Sequence, residues 1–396
     1  MFFNEEELKT LSVAVPLCEK CGLYKDCLTP KQEVVGKGER RILIIGDHPT
    51  EQDDVSGRLF SGGIAHSLRQ MVAKDGYDLD VDTWMLTSII CRGRATPEEI
   101  RYCRSNVFKE IKRLQPTTII LLGYPSILSV IGHLWHEDIG NTQRWFGLQI
   151  PSRELNAWIC PVENPIRFAQ EDSSVTGKNL FKKQFMSAYE LVGRPHKEIK
   201  EFPLTLLYDP REAIPYLEKY ILSGKPVAVD YETTTIKPDA ECAEIVSAGV
   251  CWRGKETIAF PWHEAIIPTW KKLVEQVPII GANLKFEDRW TRAKCGTSIK
   301  KPIWDTMLAA HAIDNRKGVV GVKFQAFSLL GYPAYDTVAK YFKSDSANSA
   351  NQIRQAPIKD LLKYNALDCI LEYKIAMMQR GNVDAQTNQS GGRSTC

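Results

Sequence analysis

The chain predicts an α/β protein of two layered domains, and three observations lead there. Short apolar runs alternate with helix-length stretches through the first half, a breaker-rich junction interrupts them near residue 195, and a new strand–helix–strand series begins at residue 204. The strand-like runs of the first half are Ile42-Leu43-Ile44-Ile45, Trp84-Met85-Leu86 and Thr118 to Leu122; helical stretches include Ala65 to Ala73 and Pro97 to Leu114. Strands that take turns with helices pair in parallel, so a parallel sheet is expected there. The junction is Gly193-Arg194-Pro195-His196-Lys197. Beyond it come Leu204 to Tyr208, a helix over Pro210 to Leu222, and the strand Val227-Ala228-Val229 ending at Asp230. Gly381 to Cys396, rich in Gly, Ser, Asn and Gln, predicts a disordered tail. The expected divisions are therefore 1–195, 196–380 and 381–396.

Composition bounds the partners. At 396 residues, 43% apolar and 25% charged, the chain can bury two to three separate cores. A net charge of only +3 means that nucleic-acid binding must rest on local basic faces and metals. No apolar run approaches membrane-spanning length, and Met1-Phe2-Phe3-Asn4-Glu5-Glu6-Glu7 is acidic where a signal peptide would be basic. A cytoplasmic setting follows, in which the eleven cysteines are metal ligands and buried thiols rather than disulfides.

The chemistry of the second half lies in four acids and a tyrosine. Asp230-Tyr231-Glu232 closes an apolar strand, Asn283-Leu284-Lys285-Phe286-Glu287 follows Ile279-Ile280, and Tyr364-Asn365-Ala366-Leu367-Asp368 ends the set. Side chains two apart on a strand share a face, and residues four apart on a helix do the same. Two divalent cations roughly 3.5–4 Å apart need carboxylates converging from several elements. Such a set can hold two Mg²⁺ or Mn²⁺ ions and leave the tyrosine hydroxyl beside the attacking water.

These residues resemble the three motifs of the proofreading 3′–5′ exonuclease domain of family-A DNA polymerases, in the tyrosine subclass of the DEDD superfamily. Trp304-Asp305-Thr306-Met307-Leu308-Ala309-Ala310-His311 and Phe327-Ser328-Leu329-Leu330-Gly331-Tyr332 match supporting stretches of that family. The resemblance covers about residues 200–380 and implies a ribonuclease H-like mixed α/β fold. It assigns Asp230, Glu232, Glu287 and Asp368 as Mg²⁺ or Mn²⁺ ligands and Tyr364 as the residue that orients water. Asn283 becomes a DNA-positioning residue and Asp305 a helix-cap acid. The second motif departs from the family, which has aspartate where Glu287 stands; Asp288 is the fallback ligand.

The first half carries a different set. Cys18-Glu19-Lys20-Cys21 is a C-x₂-C pair, and Cys91 and Cys103 follow far downstream with eleven residues between them. Four thiolates can close a zinc site or hold an iron–sulfur cubane, and sulfur count alone does not separate the two. Between the pairs, Gly46 to Gly63 reads as a strand end, a glycine-containing loop and a helix start near Ile64. The combination resembles the iron–sulfur uracil-DNA glycosylases of families 4 and 5. Gly46, Pro49, Asp53 or Asp54, Gly57, Phe60 and Gly62 fall on that pattern, as do Cys91-Arg92, Pro97 to Cys103 and Leu121-Leu122-Gly123. Over roughly residues 10–195 the resemblance implies an α/β/α fold and a [4Fe–4S] cluster on Cys18, Cys21, Cys91 and Cys103. Cys27 is a spare that could substitute for one ligand.

The departures concern the base pocket. An excised base is flipped out, stacked and read along its Watson–Crick edge. Phe60 keeps the stack, but the family's first-motif glutamate becomes Asp47 and its reading asparagine becomes Thr87. A threonine hydroxyl cannot give the paired donor and acceptor of an amide. The family's late histidine motif falls at Glu163-Asn164-Pro165-Ile166, leaving Asn164 without an imidazole. Loss of one electrostatic donor costs roughly 10²–10³ in rate, so the domain is expected to bind DNA without excising uracil. Arg92 and Arg94 beside the third cysteine are its candidate phosphate contacts, whereas Lys109 to Arg113 fit a solvated helix face equally well.

A metal-dependent 3′–5′ exonuclease acting on single-stranded or frayed DNA ends follows from the two resemblances. The tandem resembles the front end of certain bacteriophage DNA polymerases. The chain ends soon after the third motif, so a separate polymerase subunit is an expected partner, unless this is a stand-alone nuclease or a fragment. The alternatives are an active uracil-DNA glycosylase with an accessory exonuclease, and a non-catalytic, DNA-binding, polymerase-docking subunit.

Overall fold

The computed structural model describes residues 16–391 apart from 137, 170–173, 192, 196–201 and 347. The chain divides into two compact units at residues 197/198, each with its own sheet.

In the first unit, β1 (Ile42–Gly46), β2 (Thr83–Thr87), β3 (Thr118–Leu122), β4 (Ile150–Ser152) and β5 (Ala157–Val162) form a sheet in the order β2-β1-β3-β5-β4. Every pairing is parallel except that of the edge strand β4. Among the described residues the helices longer than four residues are α1 (Glu51–Ser56), α2 (Gly63–Ala73), α3 (Pro97–Leu114), α4 (Tyr124–Leu134) and α5 (Val175–Tyr189). β1 and β3 are buried along their whole length, as their continuous apolar sequence requires. On one face Leu68 and Val72 of α2 and Phe181 and Phe185 of α5 meet Ile42, Ile44 and Ile120. α3 begins where the sequence predicts because Thr96 and Glu99 form a reciprocal capping box around Pro97. β2 and β3 flank β1 on opposite sides, so the winding reverses at β1. A crevice beyond its carboxyl end is the natural ligand site of such a sheet.

The second unit has β6 (Leu204–Leu206), β7 (Val227–Thr233), β8 (Ile245–Trp252), β9 (Glu256–Pro261), β10 (Ile279–Gly281) and β11 (Pro302–Asp305) in the order β11-β10-β7-β8-β9-β6. β8 pairs antiparallel with β7 on one side and β9 on the other, and β10, β11 and β6 add in parallel. β7 runs through Asp230 and Glu232 to Thr233, as an Asp-x-Glu pair sharing one strand face requires. Tyr231, Glu232 and Thr233 stay paired with Ala248, Ser247 and Ile245 of β8, which sets both acids inside a fixed strand.

The helices of this unit are α6 (Ala213–Ser223), α7 (Ile267–Gln276), α8 (Leu284–Cys295), α9 (Thr306–Ile313), α10 (Val322–Leu330) and α11 (Ile358–Gly391). Leu217, Tyr220, Trp270 and Trp290 fill one core, and Leu367, Ile370 and Leu371 of α11 pack with Ala228, Cys251 and Ile280 in another. The close approach of α11 depends on Gly249 of β8. A Cβ there would lie 2.6 Å from Cys369 Sγ and 3.1 Å from the Asn365 carbonyl oxygen.

The backbone of α11 stays helical to Gly391, within the segment expected from composition to be a disordered tail. A helix already nucleated and packed extends at little cost per residue, which composition does not register. The rest of that segment, 392–396, lies outside the described residues. Among the described residues no helix is long and apolar enough to cross a membrane.

Candidate functional site

β7 and α11 bring the first and third acidic motifs together. One carboxylate oxygen each from Asp230, Glu232 and Asp368 lies within 4.8 Å of the others, with Glu232 and Asp368 buried and Asp230 half-buried. Asn365 Nδ2 donates to Asp230 Oδ2 at 2.5 Å, and Ser247 Oγ donates to Asn365 Oδ1 at 3.3 Å, tying strand to helix. Burial raises the Asp230 carboxyl well above the usual carboxylate range, and the charge of Asp368 raises it further. Glu232 is raised by burial and then by Asp230 and Asp368. Three acids so close repel one another unless protons or a cation intervene.

Tyr364 stands on the same face of α11 as Asp368. Its hydroxyl accepts a hydrogen bond from Lys323 Nζ at 2.7 Å, and Lys323 also pairs with Asp336 at 2.8 Å. A second tyrosine, Tyr335, donates its hydroxyl to Asp368 Oδ1. Burial raises the Asp368 carboxyl, while Lys323, Tyr335 and Tyr364 oppose the shift.

The second motif opens α8. Asn283 takes a left-handed backbone with φ 61°, and the Asn283 and Leu284 amides donate to the Asp305 carboxylate at 3.1 and 2.8 Å. Asp305 also caps α9 through the Met307 and Leu308 amides. Glu287 is buried and lines a cavity of about 360 Å³ with Asp230, Asn283, Lys323, Tyr364, Asp368 and Glu372. Asp288 is turned away, accepting from the Ile299 amide at 2.8 Å and from Arg292 at 2.6 Å. Trp290 is fully buried beneath the helix.

Sequence reading missed Lys323, Tyr335, Asn365 and Glu372. Glu372 had a signal, because it continues the four-residue spacing of Tyr364 and Asp368. Lys323 and Tyr335 had none, since only the fold carries them to α11.

In the first unit, Asp47, Phe60, Thr87, Leu122 and Asn164 line a cavity of about 270 Å³ at the carboxyl ends of β1, β2 and β3. Phe60 has a left-handed backbone with φ 57°, held by Arg69 Nη1 donating to its carbonyl at 2.9 Å. Its ring tip comes 3.1 Å from where a Cβ on Gly46 would sit, so the glycine lets the ring close over the pocket. Thr87 Oγ1 is buried without a hydrogen-bond partner, and Asn164 Oδ1 accepts from the Ile166 amide at 3.0 Å. His48, also missed, lines the pocket and lies 3.1 Å from Asp47, whose hydrogen bond raises the imidazole pKa. Of the two aspartates left open by the sequence, Asp53 faces this pocket and holds the Ser61 amide at 2.7 Å. Asp54 turns to the Thr29 amide at 2.8 Å. Arg92 lies 3.7 Å from both Asp54 and Glu51, whereas Arg94 is exposed.

Cys18, Cys21, Cys91 and Cys103 line one small cavity with Tyr24, Lys31 and Tyr102. The Lys31 amide donates to Cys91 Sγ at 3.3 Å, and Asn106 Nδ2 donates to Cys103 Sγ at 3.5 Å. Burial pushes the Cys91 thiol up to about 12 and also raises Cys21 and Cys103. Cys27 is hydrogen-bonded to Cys91.

Comparison with known sequences now bears on both units. The sequence model of the uracil DNA glycosylase superfamily matches residues 34–188, and that of the 3′-5′ exonuclease domain of the family-A DNA polymerase type matches residues 209–378. The chain is a uracil-DNA glycosylase superfamily domain followed by a 3′–5′ exonuclease domain. The type-4 uracil-DNA glycosylase of Thermotoga maritima is 30% identical to the glycosylase-like domain over 129 residues, covering 31% of this chain and 65% of that protein. The DNA polymerase of Bacillus phage SP01 is 24% identical over 333 residues, covering 71% of this chain and 33% of the polymerase. The chain thus spans less than two thirds of either relative. Among solved structures, Brucella melitensis NrnC bound to pGG is 18% identical, covering 48% of this chain and 86% of NrnC at a TM-score of 0.35. That likeness is too slight to bear on the exonuclease site.

Proposed function

We propose that the chain is a divalent-metal-dependent 3′–5′ DNA exonuclease of the proofreading type, acting on single-stranded or frayed ends. The observation that carries this reading is the convergence of Asp230, Glu232 and Asp368 within 4.8 Å, beside Tyr364. The donor set suits Mg²⁺ or Mn²⁺: the oxygens are hard and anionic, and Glu287 Oε2 is buried with no hydrogen-bond partner. Asp230, Glu232 and Asp368 would hold one cation, and Glu287 would serve the second. Bound there, the cations supply positive charge to the incoming and leaving oxygens of the phosphodiester.

The remaining work falls to the protein's own groups. Tyr364, fixed by Lys323, holds the attacking water. Asn283, set by its left-handed backbone at the mouth of the cavity, positions the terminal nucleotide. A 5′-labelled single strand incubated with Mg²⁺ should shorten from its 3′ end, and Asp230→Ala should abolish the shortening. A wild-type protein that leaves the strand intact in both Mg²⁺ and Mn²⁺ would refute the proposal.

The glycosylase-like domain is assigned DNA binding without uracil excision. Its pocket and Phe60 remain, but a buried threonine, Thr87, stands at the reading position and Asn164 at that of the late histidine, while the pocket's one histidine among the described lining residues, His48, is held by Asp47. Alkali treatment of a uracil-containing duplex exposed to the protein should reveal no strand breaks, and breaks at uracil would favour an active glycosylase instead. Arg94 is its exposed candidate for phosphate contact; Arg92, engaged with Asp54 and Glu51, would contribute only after leaving them.

Cys18, Cys21, Cys91 and Cys103 would hold a [4Fe–4S] cluster. The four cysteines line one small cavity, and the likeness to type-4 uracil-DNA glycosylases favours the cubane over a single zinc ion. The amide donors to Cys91 and Cys103 suit thiolates bound to such a cluster. The likeness to a phage polymerase across both domains supports a place in phage DNA replication in the host cytoplasm, with a DNA polymerase as partner.

A further inference from the structure

We propose that Glu372, with Glu287 and Asp230, forms the second cation site of the exonuclease domain. The inference rests on the exonuclease reading above and adds a carboxylate that none of the three sequence motifs contains. Glu372 lies one turn beyond Asp368 on α11, on the face that Tyr364 and Asp368 share, and it lines the same cavity. It is only 2% exposed, and its Oε2 is buried without a hydrogen-bond partner, as is Glu287 Oε2 across the cavity.

Neither protonation state satisfies such a residue. An ionised carboxylate here stands against like charges, the largest being those of Asp230, Glu287 and Asp368. A neutral acid would still leave a buried oxygen unpaired, which folded proteins rarely tolerate. A cation between the two glutamates satisfies both orphaned oxygens at once.

The same helix shows what a structural residue looks like in this setting. Gln379, also 2% exposed, accepts from Trp304 Nε1 at 2.8 Å and donates to the Thr306 carbonyl at 2.9 Å and to Gln325 Oε1 at 2.6 Å. Where α11 needs a buried polar side chain for packing, it carries an amide with its partners in place. At position 372 it carries an acid with an oxygen left over.

The two halves of the site differ in spacing. Asp230, Glu232 and Asp368 form a tight trio, whereas among the described residues Asp230, Glu287 and Glu372 do not all come within 4.8 Å. Three protein carboxylates leave room for water ligands, which suits a cation that keeps part of its water shell, as Mg²⁺ does. Asp230 belongs to the trio and also lines the cavity with Glu287 and Glu372, so it would contribute to both sites.

The test counts cations without relying on turnover. Mn²⁺ titrated into the full chain, with free Mn²⁺ followed by electron paramagnetic resonance, should show two sites in the wild type. Glu372→Gln should keep one site and weaken the other by roughly 10–100-fold, with Glu372→Asp intermediate. If Glu372→Gln fails to fold by circular dichroism, Glu372→Asp carries the same comparison. Two sites of unchanged affinity in the substituted protein, or a single site in the wild type, would overturn the role of Glu372 and leave the exonuclease reading standing. A wild type that takes up no Mn²⁺ would remove both.

Discussion

Lys323 Nζ lies 2.7 Å from Tyr364 Oη and 2.8 Å from Asp336, so the ammonium is fixed against the tyrosine from below. With the hydroxyl oxygen accepting from Lys323, the tyrosine's own hydrogen is directed to the carboxylate of Asp368. Burial and the neighbouring carboxylates raise the Tyr364 pKa, so the ring stays a neutral phenol. Lys323 therefore acts as a positioning residue. Lys323→Met should lower kcat by about 10²-fold, in the range found when one aligned donor is lost. Tyr364→Phe should cost far less in the Lys323→Met background than alone, because the two act as a unit. Single-turnover degradation of a labelled strand measures both, and fully multiplicative losses would refute the coupling.

The acid cluster makes a pH prediction with a definite sign. Asp230, Glu232, Glu287, Asp368 and Glu372 all have folded-state pKa values raised by burial. Below about pH 4 both folded and unfolded chains hold these protons, and the groups contribute nothing to the pH dependence. Above it the unfolded chain releases them first, so the metal-free protein loses stability as pH rises towards the folded-state values. Divalent cations compete with those protons and bind better as pH rises. Thermal unfolding in a chelator should therefore give a lower Tm at about pH 8.5 than at about pH 5.5, and Mg²⁺ should raise Tm more at the higher pH. A Mg²⁺ shift that shrinks with rising pH would contradict this.

The same site shows where sequence reading succeeds and stops. The three acidic motifs were legible because each lies on one element with a fixed period: two for Asp230 and Glu232, four for Tyr364 and Asp368. The parallel sheet of the first unit was legible because β1 and β3 are continuous apolar runs. Lys323, Tyr335 and Asn365 were not, because their roles are contacts across elements. Tyr335 is 33 residues from Asp368, and Asn365 is 135 from Asp230.

The thiol cavity gives a compositional test. Protein prepared without oxygen should contain iron and acid-labile sulfide, and Cys103→Ala should lose both. Cys27→Ala should retain them, because Cys27 is only hydrogen-bonded to Cys91 and is absent from the lining of the cavity. One equivalent of zinc and no sulfide in the wild type would replace the cluster with a structural zinc site. Loss of iron in Cys27→Ala would make Cys27 a ligand.

Gly249 links stability to activity. It sits on β8 opposite Asp230, beneath the turn of α11 that carries Asn365 and Cys369. A methyl group there would lie 2.6 Å from Cys369 Sγ and 3.1 Å from the Asn365 carbonyl oxygen, and the second neighbour is backbone that cannot rotate away. The helix must lift, and with it Asn365, which holds Asp230, and Asp368 three residues on. Overpacking of this kind costs about 1–3 kcal/mol. Gly249→Ala should lower stability in urea by that amount and reduce exonuclease turnover more than overall stability alone explains, because the trio of carboxylates spreads. Adding Cys369→Ala removes the sulfur but not the carbonyl, so the double substitution should recover part of both losses. Full activity in Gly249→Ala at reduced stability would show that α11 yields without moving its acids.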